Sequence, residues 1–379
     1  MKGEIMVRRI FIILILIFSH AALADEVADK AEFQKLYAQF NDLYANSEDI
    51  DPIIEVAEKL YELAPKIYGK NSQNTAVVTY NLASLYLEKA GSAGLSDYDN
   101  KARDLFEDYF QILDKIDAPK DKNFVNQYLY YLKSIALEAY QDALPSRVKK
   151  LHIIARELDY SQNELADIEF QLGLLLFKNN DFHKSLDYFE LSNANYIKSY
   201  GSEHFKVGET YFWIAKLQMG DKKRTSAETS FETALKIFDK NPELSKELKQ
   251  NTHAFMVQLF EDMGLSDKAT LHCQAIAEER PKDFDQYIKP IYRKNPTFPE
   301  LESYEIAKLK KEPAEVTLNF DVDTNGFTKN ITVIESSNQK FNESSIEAAK
   351  GFRYAPTIKD GNLTYTKDAK VKIVFGISK

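Results

Sequence analysis

The sequence predicts a multidomain α+β chain: an α-solenoid of helical hairpins followed by a small two-layer ββαβ domain. Three observations carry that prediction. From about Ala31 to Pro281, Tyr, Leu, Phe and Ala recur at i, i+3, i+4 and i+7, the stripe of helices that bury one face. Inside that run a pattern of small and aromatic residues returns at a fixed interval. From Val316 the period falls to two, which suits strands with one dry face and one wet face.

At the N-terminus, Lys2, Arg8 and Arg9 precede an apolar run from Ile10 to Phe18, and Ala22-Leu23-Ala24 has the small-x-small form of a cleavage signal. Residues 1–24 read as a secretory signal peptide, with the mature chain starting at Asp25. The rival reading keeps Ile10–Ala24 as a membrane anchor that contains His20. That run is shorter than the roughly 20 apolar residues a bilayer core requires.

Residues 25–281 carry the repeats. Leu172-Gly173, Phe182, Ser185, Phe189 and Ser192 are followed 42 residues later by Ile214-Ala215, Ala227, Phe231 and Ala234. After the same interval come Met256-Val257, Gly264, Ala269, Cys273, Ile276 and a closing Pro281. Earlier copies are looser: Ala57, Tyr61 and Ala64, then Leu82-Ala83 with Ala102 and Phe106, interrupted by Gly91–Asp99. Phe124–Leu158 is helical but fits the pattern poorly. Small residues let paired helices approach, and aromatics fill the gaps between them. The spacing resembles a tetratricopeptide solenoid of five or six hairpins.

Residues 282–312, with Pro290, Pro296, Pro299 and Pro313 nearby, read as a linker with one short helix near Tyr304–Lys311. The C-terminal domain is expected over 313–379. Val316, Leu318, Phe320 and Val322 form one dry face, and Thr324-Asn325-Gly326 supplies a tight turn. A second strand runs from Thr328 to Glu335 with Ile331, Val333 and Ile334 as its apolar content. Asn342 is placed to cap a helix with Ile346, Ala349 and Phe352 inward and Phe341 as a staple, ended by Gly351 and Pro356. A last strand alternates Ala369, Val371, Ile373, Phe375 and Ile377 with Lys370, Lys372 and Val374. The expected sheet is small and mixed, with an open border.

Composition limits function. The net charge is −9, yet residues 281–379 hold 16 basic and 14 acidic side chains, so the acidic excess lies in the helical part. An acidic body disfavours nucleic acid and anionic membrane surfaces. The single cysteine, Cys273, permits no internal disulfide.

The C-terminal residues also resemble a known family. Val316–Asp323, Asn325-Gly326, Val333-Ile334-Glu335-Ser336-Ser337, Phe341, Ala348-Ala349, Phe352-Arg353-Tyr354-Ala355-Pro356, Asp360-Gly361 and Val371–Phe375 look like the C-terminal domain of TonB-family energy transducers. Phe298-Pro299 stands where that family has Tyr-Pro, while Ala314-Glu315 replaces its usual glycine and Glu300, Glu302 and Glu305 its basic residues. The resemblance implies a periplasmic module of a Gram-negative cell envelope that grips an extended peptide by strand addition, typically the N-terminal box of an outer-membrane receptor.

The expected docking strand is Lys370, Val371, Lys372, Ile373, Val374 and Phe375. Its two lysines protect an edge from aggregation or steer an acidic peptide. Trp213, in Tyr211-Phe212-Trp213, is core or a partner contact. Asp321-x-Asp323-x-Asn325-Gly326 copies the opening of a calcium loop, but Thr332 stands where a bidentate Glu is needed, so it reads as a hairpin turn. His272-Cys273 offers too few ligands for zinc, and Cys273 reads as a buried hydrophobe. His152, His183, His204 and His253 read as exposed or capping. Asn330-Ile331-Thr332 and Asn362-Leu363-Thr364 match glycosylation sequons by chance. No nucleophile elbow, phosphate loop or zinc helix occurs. The expectation is therefore a non-catalytic adaptor of a TonB-dependent transport system, with no cofactor or metal. Its partners would be envelope proteins: outer-membrane receptors or inner-membrane transport components. The alternatives are a membrane-anchored transducer and a periplasmic enzyme with a dispersed site.

Overall fold

A computed structural model describes residues 24–93, 97–135, 143–279 and 289–377. The expected signal peptide therefore falls almost wholly outside the described residues. The chain divides into two compact units, one ending at Tyr188 and the other starting at Phe189.

The first unit contains α1 (Ala24–Asn46), α2 (Asp51–Tyr68), α3 (Gln73–Ala93), α4 (Asp97–Lys115), α5 (Lys122–Ile135), α6 (Leu144–Glu157) and α7 (Gln162–Lys178). Each packs on the next in the chain. Ala57, Ala64, Ala83 and Ala102 are all buried, the close approaches the repeat pattern predicts. Aromatic rings occupy the space between helices: Tyr80 meets Phe106 edge-on at 5.6 Å, and Phe110 meets Phe124 at 5.4 Å. α8 (Phe182–Tyr200) crosses the division. Its Ser185 is buried and donates to the Gly173 carbonyl at 2.8 Å, which explains a small polar residue at that repeat position. Phe182 differs from expectation. It lies at the surface against Phe177 instead of in the core.

The second unit continues with α9 (Phe205–Gly220), α10 (Arg224–Asp239), α11 (Pro242–Asp262) and α12 (Ser266–Glu278). Ala215, Ala227, Phe231, Ala234, Met256, Val257, Ala269 and Cys273 form one buried cluster, so the 42-residue repeat marks the core. Gly208 sets how closely α9 meets α10: a Cβ there would stand 2.8 Å from the Phe238 ring. Among the described residues, twelve helices precede residue 280, and α13 (Ser303–Leu309) follows.

The C-terminal domain comprises β1 (Ala314–Val322), β2 (Thr328–Ser336), α14 (Asn342–Lys350), β3 (Thr357–Lys359), β4 (Asn362–Thr364) and β5 (Thr366–Phe375). Its main sheet has the order β2-β1-β5 and is antiparallel throughout, not mixed. β3 and β4 form a separate hairpin that strand periodicity did not reveal. α14 packs on β2 and β1, and its Ala348 and Ala349 share one buried cluster with Val316, Leu318, Phe320 and Phe352. Asn342 is not the cap. It is the first helical residue, and Asn338 instead accepts from the Lys340 amide to open the 3-10 turn Gln339–Phe341. Residues 289–309 lie along this domain: Ile291 donates to the Arg353 carbonyl at 2.7 Å, and Leu301 and Leu309 join its core.

Candidate functional site

The two borders of the sheet differ in regularity. On the β2 side, Thr317 faces Glu335 while Leu318 faces Val333, so Ile334 is an extra residue that bulges outward. A second irregularity falls between Asn319 and Asp321, where Asn330 takes a left-handed φ of 54°. These bulges explain why Ile334, expected among the apolar content, is 46% exposed. Bulged edges resist pairing with a visiting strand.

On the β5 side the irregularity is confined to the strand's start, where Asp368 has φ 56°. From Phe320↔Ala369 to Ala314↔Phe375 the register is unbroken. That is a straight border of about 20 Å at ~3.4 Å per residue. Among the described residues no strand pairs with its other side. Half of its backbone N–H and C=O groups therefore point away from β1.

The expected docking residues fall into two sets. Val371, Ile373 and Phe375 are buried, with Phe375 against Phe341 at 4.4 Å and Phe298 edge-on at 5.5 Å. Lys370, Lys372 and Val374 face solvent. Lys372 pairs with Glu315 on β1 at 2.7 Å, and that hydrogen bond raises its pKa. Lys370 sits across from Asn319. The outer face at this border is thus mixed: one lysine bridged within the sheet, one opposite a neutral amide, and an exposed valine.

The acidic turn is structural. Asp323 Oδ1 accepts from the Asn325 and Phe327 amides, both at 2.9 Å, which closes the β1–β2 turn. Asp321 accepts from Lys367 and Asn330 and is held below the usual carboxylate range, chiefly by the Lys367 hydrogen bond. Among the described residues no three His, Cys, Asp or Glu side chains are grouped to hold a metal.

Other singled-out residues lie on the helices. Trp213 is half-buried, stacked on Phe189 at 5.8 Å, with the Lys216 ammonium 4.2 Å from its ring. His204 caps α9 by accepting from the Lys206 amide, and His152 pairs with the buried Glu169. His253 departs from expectation: it is buried, its Nδ1 2.7 Å from that of His272. Burial lowers both pKa values to about 4. No short-range pattern marks this pair, because the two rings meet across α11 and α12, 19 positions apart. Cys273 is buried, as expected, and burial pushes its thiol up to about 11.

Helical hairpins and, among the described residues, a small sheet with one straight unpaired border are the build of a protein-interaction chain. Residues 294–377 match the family described as the Gram-negative bacterial TonB protein C-terminal, and this part of the chain is a domain of that type. The match includes Phe298-Pro299, whose Phe298 packs on β5. No curated protein matches the chain in sequence. Among solved structures it is similar to TPR-like repeats of a Podosopora anserina kinesin light chain, with 14% identity, TM-score 0.46, and 56% of this chain and 97% of that one covered. The apo form of RapI gives 12% identity and TM-score 0.47, covering 68% of this chain and 78% of that one. A TPR repeat-containing protein of Cytophaga hutchinsonii gives 16% identity and TM-score 0.31, covering 66% and 95%. The TPR-like assignment rests on the packed hairpins and their buried repeat positions. Among the described residues no helix is long and apolar enough to cross a membrane.

Proposed function

We propose that this chain is a non-catalytic periplasmic adaptor of a TonB-dependent transport system, exported by a signal peptide that is cleaved before Asp25. Its helical hairpins hold one envelope protein. Its C-terminal domain takes an extended peptide from another by strand addition along Lys370–Phe375. The observation that carries this reading is the contrast between borders: β2 is interrupted by bulges, whereas β5 keeps regular register for seven residues and, among the described residues, its outer side is unpaired. The TonB C-terminal type of the domain supports an envelope role. Exposed Lys370 favours an acidic residue on the visiting strand, and exposed Val374 an apolar one. The domain boundary at 313 belongs to the same reading.

The test is photocrosslinking in the envelope, with the reactive side chain placed at Lys370 or Lys372 and, as control, at Lys329 on β2. Adducts at the β5 positions alone support the proposal. Equal adducts at Lys329, or none at β5, would sink it.

A further inference from the structure

Arg353 is the largest fully buried side chain in the described residues, and its partners come from two parts of the second unit. From its own domain, the Asn325 carbonyl accepts from Nη2 at 2.8 Å, and the Phe327 ring lies 3.8 Å beneath the guanidinium. From the helices, the Glu261 carboxylate accepts from Nη1, and Thr270 Oγ1 accepts from Nη2 at 2.7 Å. The Ser266 carbonyl stands 3.4 Å from Nη1. Among the described residues the carboxylate paired with this buried cation sits on α11, 92 positions earlier in the chain.

Smaller contacts surround the pair. Gln274 on α12 donates to the Thr324 carbonyl at 3.1 Å, and Tyr292 donates to Asp262 at 3.2 Å. Ala355 packs with Ile276 and Ala277 of α12. Gly326 lies against Cys273, where a Cβ would stand 3.2 Å from the cysteine's own.

We infer that Arg353 fixes the C-terminal domain onto the hairpin α11/α12, so that β5 is presented in one orientation and not on a swinging module. The physics is that of a buried ion pair. Its net contribution to stability is small, but removing one partner strands a charge without water. Loss of Glu261 leaves Arg353 buried and unpaired, and the interface opens to hydrate it. The purpose assigned to this fixed orientation rests on the edge-strand reading; the docking itself does not.

The experiment measures the interface directly in the full-length chain. Spin labels at Lys246→Cys on α11 and Lys359→Cys on β3, both exposed in the native protein, report the distance between hairpin and sheet domain. Buried Cys273 stays unlabelled. The expected result is one narrow distance distribution for the parent chain and a broad one for Arg353→Met. Glu261→Leu, which alters no residue of the sheet domain, broadens it likewise. It also speeds exchange of the Ile291 amide at least about tenfold while the β1 amides stay protected. A broad distribution in the parent chain, or a narrow one in Glu261→Leu, overturns the inference. Failure of any peptide to bind β5 leaves these readouts untouched and bears only on the proposed function.

Discussion

Gly326 closes the β1–β2 turn with φ +85°, and a Cβ added there would lie 2.2 Å from the Tyr354 carbonyl oxygen. That oxygen belongs to backbone whose own amide donates back to the Gly326 carbonyl at 2.9 Å, so neither side can yield freely. Gly326→Ala therefore carries two costs. Holding an L-residue at positive φ costs about 1–2 kcal/mol. Displacing packed backbone adds about 1–3 kcal/mol. Gly361 serves as the internal control, since its φ of +78° is similar but its surroundings are open. Gly361→Ala bears only the conformational cost. Urea unfolding of the two variants, followed by a signal from the sheet domain, is expected to separate them by about 1–3 kcal/mol. Equal losses would refute the claim that this turn is pressed against the Phe352–Pro356 segment.

Two further outcomes follow from burial. The His253–His272 pair is neutral in the native chain, with both pKa values lowered from 6.5 to about 4. As pH falls through that window the unfolded chain takes up protons the folded chain refuses. The pair's stabilisation is thus complete above about pH 6.5 and lost by about pH 4, a change on the order of a few kcal/mol. Urea midpoints at pH 7.5 and 4.5 are expected to drop less in His253→Leu/His272→Leu than in the parent; an identical drop contradicts the buried pair. Cys273, its thiol pushed up to about 11 by burial, is expected to react with an alkylating reagent at pH 8 only when the chain unfolds. Stoichiometric labelling of the native protein within minutes would contradict that.

Much of the fold was legible because it is written in local periodicity. Ala369, Val371, Ile373 and Phe375 alternate in the sequence and are the buried residues of β5. Ala227, Phe231 and Ala234 recur at a helical spacing and line the core between α9 and α10. What stayed hidden depends on pairing between distant positions. Ile334 reads as an inward residue until the register against β1 shows a bulge. His253 looks like a scattered polar residue until α12 brings His272 against it. Arg353 was visible only as one letter of a family motif. Its carboxylate partner lies in another module, and no short-range pattern couples them. The candidate edge could be named from sequence because strand alternation and chain order suffice. Its contrast with the β2 border needed the register.

On the proposed function β5, and not β2, accepts a visiting strand. Backbone amide exchange across residues 369–375 tests it most directly, comparing the free chain with the chain saturated by an N-terminal peptide of an outer-membrane receptor. In the free chain every second amide of this stretch is expected to exchange quickly, because alternate N–H groups point away from β1. With peptide bound, that fast set slows at least about tenfold while the outward amides of β2 keep their rates. Protection gained on β2, or none gained on β5 at saturating peptide, would contradict docking along β5.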